Sequence, residues 1–531
     1  MVYNLQIINT TSKRMDLLME TSRATWASRS TFILAAIGSA VGLGNAWRFP
    51  GLAAKHGGGA FLFVYLLAML LLGLPLLMME ISIGRRMRQG APGSMRGIHK
   101  KAEFIGWAAT SNAFIISTYY AVVFAWVLLM VIKSVDFASM TGDAGAASGL
   151  FFDTIMSKGD LTGGNVISTP VLIALLVAWG MIYYCIRNGA QSVGKVVKFT
   201  VFAPVVCMII MAAKSITMAG AGEGLLRFFV PDFSALADPT IWVDAVGQVF
   251  YSLSIMMAIM FAYGSFLDRK SNIAVDALII GFSDMAISVL AGIVMFATMG
   301  GVGMLDNITA SGISTAFIVY PQAIVKLTGS GIFNAIFGMI FYLCLTTLAI
   351  DSAFSIIEGV STAIADKFGL NKRSATIGVC AVAGIISIVY ITGAGLAWLD
   401  IVDYWANSYN LLIVGVLECI AVGWFFPTRK VLDAVNENTS KFRMPAWWFN
   451  SAIKVLCPTI LTVLVVWNTV NLFQGGGIYG GYTLASNILA GWAPMVLAFV
   501  SGAFINIIAA RREKKGLYVA PYVSWDEAKE D

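Results

Sequence analysis

The chain has 531 residues, a net charge of +6, and a composition that is 58% hydrophobic and only 12% charged. With a mean hydropathy of +0.80 this excludes a soluble globular protein, and apolar stretches of about 20 residues point to membrane-spanning helices. No short alternating strands are visible, which excludes a transmembrane barrel.

Residues 1–29 hold no continuous apolar run, so no cleavable signal peptide is expected and the first span stays as an anchor. That span opens as STFILAAIGSAVGLGNAWRFP, residues 30–50. Gly38, Gly42 and Gly44 fall within seven residues, and glycine costs about 1 kcal/mol against alanine in a helix interior. A break is expected there rather than a uniform rod. Arg48 at membrane depth costs at least about 2.5 to 3.5 kcal/mol on insertion scales, so it needs a partner or a wet vestibule. Irregular backbone is tolerated at that depth only where it lines a cavity. The stretch therefore reads as a binding site inside the bilayer.

Hydropathy and helix breakers then give about twelve spans: 30–54, 58–84, 106–132, 167–186, 196–217, 241–267, 273–299, 332–365, 374–393, 399–426, 447–472 and 483–510. One alternating set of connections carries Arg23 and Arg29, Arg85 to Lys101, Arg187 to Lys198, Arg269 and Lys270, Lys367 to Arg373, Arg429 to Arg443 and Arg511 to Lys515. The other set has little beyond Lys133, Lys158, Arg227 and Lys326. This asymmetry places both termini in the cytoplasm. The outside loop at 300–331 contains SGISTAFIVYPQAI, whose apolar content predicts a re-entrant hairpin capping a vestibule. The six cysteines, 185, 207, 344, 380, 419 and 457, lie in or beside apolar segments without CxxC spacing and read as buried small hydrophobes.

The sixth span also looks interrupted, at SLSIMM, with Ser252 and Ser254 amid apolar residues, although no glycine or proline sits at its centre. Paired broken helices in corresponding places of two five-helix halves point to a secondary transporter with inverted repeats.

The motif GSAVGLGNAWRFP, with HGGGAF at 56–61, PLLMMEISIGR at 75–85, STYYAV in the third span, WVDAVGQVFYSLS entering the sixth, LAIDSAFSIIEG in the eighth and DYW in the tenth, resembles the neurotransmitter:sodium symporter family, in particular its bacterial amino-acid transporters. The resemblance covers roughly residues 23–430. It implies an all-α membrane protein of about twelve transmembrane helices: a 5+5 inverted repeat with helices 1 and 6 broken, plus two C-terminal helices. The corresponding divisions are a cytoplasmic N-terminal segment 1–29, a first repeat 30–217, an extracellular loop 218–240, a second repeat 241–426, helices 427–510 and a cytoplasmic tail 511–531. The implied location is the bacterial inner membrane.

The resemblance further implies two sodium sites. The first would use Ala40, Asn45, Ser252 and Asp284, completed by a substrate carboxylate, and the second Gly38, Val41, Leu348, Asp351 and Ser352. Hard cations take oxygen ligands, and an unwound helix has free carbonyls to offer. The implied substrate pocket is lined by Ala40, Gly42, Leu43, Gly44, Ile116, Tyr120, Tyr251, Ser252, Ser254, Met257, Ala353 and Ile356. Backbone N–H groups at Leu43 and Gly44 open the second half-helix and suit a carboxylate. Amine transporters of the family carry an Asp where Gly42 stands, so a neutral amino acid is the expected substrate. Arg48 and Asp403 form the implied outer gate; Arg23, Asp366 and Trp26 form the inner one. Such pairs contribute only about 0 to 1 kcal/mol, which suits a latch that opens every cycle.

Three positions depart from the family pattern. Met256 replaces a glycine, so either the pocket is partly filled or the backbone runs differently. Asp284 stands where many animal members have Asn, while Tyr65, Gln248, Ser252 and Ser288 resemble those members' chloride site; the added carboxylate makes chloride unnecessary on electrostatic grounds. Phe266 replaces a tyrosine that supports the inner gate. Among the buried acids, Glu80 reads as structural and Glu358 and Glu418 stay open. The expected partners are a small-molecule substrate and the lipid bilayer, with no nucleic acid and the oligomeric state left open. An enzyme is not expected, since His56 and His99 lie outside the spans and no HExxH or nucleophile elbow occurs. The alternatives are an amino-acid sensor of transporter-like fold without net flux, and a symporter for another small carboxylate or an amine.

Overall fold

The structure is a computed structural model that describes residues 25–156, 161, 164, 166–309, 311–438 and 442–528. Among the described residues the regular structure is helical, apart from isolated bridges between Gly58 and Pro231 and between Ile167 and Thr392. Ten helices are long and apolar enough to cross a membrane, and Arg29–Ala40 with Gly44–Lys55, bent by 51°, forms an eleventh crossing. The remaining expected span, the sixth, is divided into Pro239–Ser252 and Ile259–Ser265, of 14 and 7 residues. Neither half is long enough alone, yet together they fill the expected 241–267.

Among the described residues six π-helical turns interrupt the helices, at Gly44–Arg48, Met69–Gly73, Thr315–Val319, Ala406–Asn410, Ala452–Leu456 and Asn487–Trp492. Five of them run into a proline at the second residue beyond: Pro50, Pro75, Pro321, Pro458 and Pro494. Proline lacks the N–H for the carbonyl four residues back, and its ring crowds that carbonyl. Widening the preceding turn relieves both problems without ending the helix.

Two features fix the frame around the first and sixth spans. The second span packs its backbone directly on the sixth: a Cβ added to Gly84 would lie 2.1 Å from the Phe261 carbonyl oxygen, and one added to Gly264 would lie 2.4 Å from that of Ile81. Only glycine permits that approach, and it holds the short half-helix Ile259–Ser265 in place. Over the opposite end of the first span, the loop at 300–331 differs from expectation. Instead of a re-entrant hairpin it forms one short apolar helix, Gly312–Ile324. Its Phe317 stacks on Phe151 at 4.5 Å and lies 6.1 Å from Trp47, and Tyr342 donates to its Ala316 carbonyl at 2.8 Å. The apolar residues that suggested insertion are satisfied by packing on protein rather than by a turn back into lipid.

Candidate functional site

The site forms where the two broken spans face each other. In the first, the helix Arg29–Ala40 ends as Val41 turns extended (φ −83°, ψ 93°), and the Gly42 N–H is taken by Asn45 Oδ1 at 2.9 Å. In the sixth, Ser254, Met256 and Ala258 have φ of 53°, 64° and 61°. Left-handed backbone costs a non-glycine residue roughly 1–2 kcal/mol, so surrounding contacts must hold this turn. Two do. Met256 N donates to Glu80 Oε1 at 2.6 Å, and Ser254 Oγ donates to the Ser39 carbonyl at 2.8 Å, joining the two breaks.

Glu80 thus reaches the backbone of the sixth-span turn. Met256 does not fill the pocket. Its side chain turns away from the cavity towards the tenth span, where a Cβ on Gly415 would lie 2.3 Å from its Sδ.

Asn45, Ser252 and Asp284 meet in one buried cluster. Asn45 Nδ2 donates to Asp284 Oδ1 at 2.7 Å, Ser288 Oγ at 2.8 Å and Ser252 Oγ at 3.0 Å. Ser252 Oγ donates to Asp284 at 2.7 and 2.8 Å, and Tyr65 donates to its Oδ2 at 3.0 Å. Gln248 Nε2 reaches the Gly44 carbonyl at 3.4 Å. On the other side of the first break, Asp351 lies so close that a Cβ on Gly38 would be 2.6 Å from its Oδ2. Its Oδ1 is buried without a hydrogen-bond partner, and an unpaired buried acceptor is costly unless a cation or donor joins it. Gly38, Val41 and Leu348 are buried as well. Ser352 Oγ would lie 2.5 Å from a Cβ on Gly42.

Between the clusters lies a cavity. Of the twelve expected lining residues, eleven face it: Ala40, Gly42, Leu43, Gly44, Ile116, Tyr120, Tyr251, Ser252, Ser254, Met257 and Ile356, joined by Ser39, Asn45 and Ser352. Ala353 does not. Ser352 and Ile356 are four residues apart and share a helix face, and Ala353 is turned about 100° away from Ser352. The Tyr120 hydroxyl reaches the Leu43 backbone and Ser352 at the first break.

The two gates differ. On one side Trp26 is buried; its N–H donates to the Phe266 carbonyl and its Nε1 to the Tyr263 carbonyl, each at 3.0 Å, and its ring lies 5.2 Å from Tyr263 and 6.1 Å from Phe266. Asp366 Oδ2 accepts the Gly90 N–H at 2.7 Å, whereas Arg23 lies outside the described residues. On the other side the expected Arg48–Asp403 pair is not formed. Arg48 lies over the Tyr251 ring at 5.7 Å, and Asp403 Oδ1 is occupied by Tyr119 Oη at 2.7 Å and Asn407 Nδ2 at 2.8 Å. Asp403 has donors already, so Arg48 rests on an aromatic face instead. Tyr119 and Asn407 escaped the sequence reading. Tyr119 lay inside the STYY motif, and Asn407 lay one helical turn after Asp403.

Two interrupted helices facing each other across an acid-flanked cavity, within a bundle of membrane helices, define a multi-pass secondary transporter. Residues 23–142 and 152–512 match the model of the sodium:neurotransmitter symporter family. The chain is 36% identical over 496 residues to MJ1319 of Methanocaldococcus jannaschii, described as an uncharacterized sodium-dependent transporter, covering 91% of this chain and 97% of that one. It is 28% identical to the mouse sodium-dependent neutral amino acid transporter B(0)AT3, covering 83% of this chain and 84% of the relative. Among solved structures, MhsT in complex with L-phenylalanine matches with a TM-score of 0.72 at 27% identity, covering 84% of this chain and 99% of that one. The chain belongs to the sodium:neurotransmitter symporter family: it is an all-helical, sodium-dependent membrane transporter of a small-molecule substrate and not an enzyme.

Proposed function

We propose that the protein imports a neutral amino acid with sodium by alternating access, and that it does so without chloride. The observation that carries the substrate class is the cavity's polarity. Its lining holds the Leu43 and Gly44 backbone at a half-helix N-terminus, with the Tyr120 hydroxyl against Leu43, and also the apolar Ile116, Met257 and Ile356. Gly42 brings no carboxylate to pair an amine, so the substrate supplies its own, and the apolar lining residues suit an apolar side chain. The first sodium would sit with Ala40, Asn45, Ser252 and Asp284, and the second with Gly38, Val41, Leu348, Asp351 and Ser352.

Chloride independence rests on Asp284. Its carboxylate already receives Tyr65, Ser252 and Asn45 and lies beside Ser288, so a negative charge stands where an anion would otherwise be required. Trp26 seals one side while Arg48 and Asp403 are apart on the other, an arrangement that fits a state closed towards the cytoplasm. The repeats would be 30–217 and 241–426, with both termini cytoplasmic in a bacterial inner membrane. Sodium drives the cycle only if it binds the outward and inward states unequally.

The test is uptake of a panel of labelled amino acids into proteoliposomes under a sodium gradient, repeated with gluconate replacing chloride. Saturable, sodium-dependent accumulation of a neutral amino acid, unchanged in gluconate, is expected. Accumulation of an amine alone would overturn the substrate class, and loss of uptake in gluconate would overturn chloride independence. Sodium-dependent binding with no counterflow would make the protein a sensor.

A further inference from the structure

Met256, the side chain that departs from the family pattern, sits at φ 64° in the unwound turn of the sixth span, and the packing around it shows how the chain accommodates it. It is fully buried, and its thioether ends against Gly415 on Leu411–Trp424 of the tenth span. A Cβ built on Gly415 would lie 2.3 Å from Met256 Sδ and 2.5 Å from its Cε. The same Cβ would lie 2.9 Å from Cδ1 of Leu461 in the eleventh span, a residue that is itself fully buried. Gly415 is thus a socket. The side chain gained at 256 occupies the space of the side chain missing at 415, and small residues are what permit such close approach between membrane helices. Gly415 does not line the cavity, and the transport cycle described above gives it no part.

The socket matters because of what the turn carries. Met256 N donates to Glu80 Oε1 at 2.6 Å and Ser254 Oγ to the Ser39 carbonyl at 2.8 Å, so the turn is pinned at two points, while Ser254 and Met257 line the cavity. A methionine thioether is flexible and yields readily, yet Leu461 closes its room on the far side. Displaced from the socket, it presses back on the turn from which it grows, and the cavity is the open space beside that turn. We propose that Gly415 is a specificity-determining positioning residue: its lack of a side chain holds the Met256 thioether outside the cavity and so sets how large a substrate side chain fits beside Ser254 and Met257. This rests on the cavity being the neutral amino acid site of the proposed function.

Sodium-dependent affinities of the purified full-length protein for alanine, leucine and phenylalanine test this, compared among wild type, Gly415→Ala, Met256→Ala and the double variant. Gly415→Ala should weaken binding of the largest amino acid about tenfold, the effect of roughly one methylene in an apolar pocket, and leave the smallest nearly unchanged. Alanine at 256 keeps the backbone conformation's demand on a Cβ but removes the thioether. In that background the methyl at 415 meets vacated space, so the ratio of large to small affinities should no longer respond to it. The Tm should follow the same logic: Gly415→Ala lowers it in the wild-type background by overpacking and does not lower it in the Met256→Ala background.

Equal weakening of all three amino acids, no change in any of them, or a changed ratio that persists without the thioether overturns the proposal. If Gly415→Ala does not fold, folding of the double variant upholds the socket and failure of both overturns it. A wild type that binds none of the three in sodium overturns the substrate class instead, and the sign of the Tm change in the two backgrounds then judges the socket by itself.

Discussion

Gly38 shows how far single residues set this site. A methyl group there would lie 2.6 Å from Asp351 Oδ2, inside van der Waals contact, and the carboxylate would have to move. Gly38→Ala is therefore expected to lower sodium-dependent uptake at least tenfold, about 1.4 kcal/mol of binding, while the purified protein keeps a Tm within a few degrees of wild type. Uptake within twofold of wild type would show that the Asp351 carboxylate is not held in place for an ion. The residue types at this scale were legible: Asn45, Ser252 and Asp284 come together, as do Tyr120 and the glycines of the first break. Ala353 was misplaced because a linear motif does not say which face of a helix turns inward, and Ser352 takes the place at the wall. Tyr119 went unseen because only the packed structure brings it onto Asp403, whereas Asn407, four residues after Asp403 on the same helix, could have been found from helical spacing.

The sixth span is the element in which sequence and structure differ most in how they mark the same feature. It breaks without a glycine or proline at its centre, because its left-handed residues are held from outside by Glu80 and by the Ser254 bond to the first span. Two substitutions separate strain from packing. Ala258 has φ of 61° and a side chain of one methyl, so Ala258→Gly should relieve about 1 kcal/mol of backbone strain and raise the Tm by a few degrees in detergent.

Met256 has φ of 64° but a fully buried thioether lodged against Gly415. Met256→Gly relieves similar strain yet leaves a cavity, and removal of a buried Met side chain costs about 2–5 kcal/mol. Its Tm should fall. A fall in both variants would mean that the turn is not strained. The π turns teach the reverse lesson, since five of the six among the described residues lie just before a proline, a local cause.

At the scale of the whole molecule, the most consequential feature absent from hydropathy is the tail beyond Lys514. Expected only to be cytoplasmic, it docks. Ala520 N donates to the Lys367 carbonyl at 2.9 Å and Trp525 N to that of Gly97 at 3.1 Å. Trp525 is 5% exposed, lies 5.4 Å from Phe426 and has Arg86 5.7 Å above its ring. Lys430 pairs with Asp526 at 2.6 Å. Truncating a buried Trp costs about 3–5 kcal/mol, more than exposed ion pairs return, so Trp525→Ala should release the tail locally. Hydrogen exchange should show protection lost at 518–528 and kept in the spans; unchanged protection at 518–528 would show that Trp525 does not anchor it.

The sequence by itself determined roughly how many spans there are and about where they run, the first break and the chemical types around it, because lipid demands long apolar helices and tolerates polar or broken backbone only at a site. Tertiary structure decided how the sixth span breaks, which way Met256 points, which partners Arg48 and Asp403 take, and where the tail rests. Those outcomes depend largely on donors, acceptors and surfaces supplied by residues distant in sequence, and no local pattern encodes a contact between distant segments.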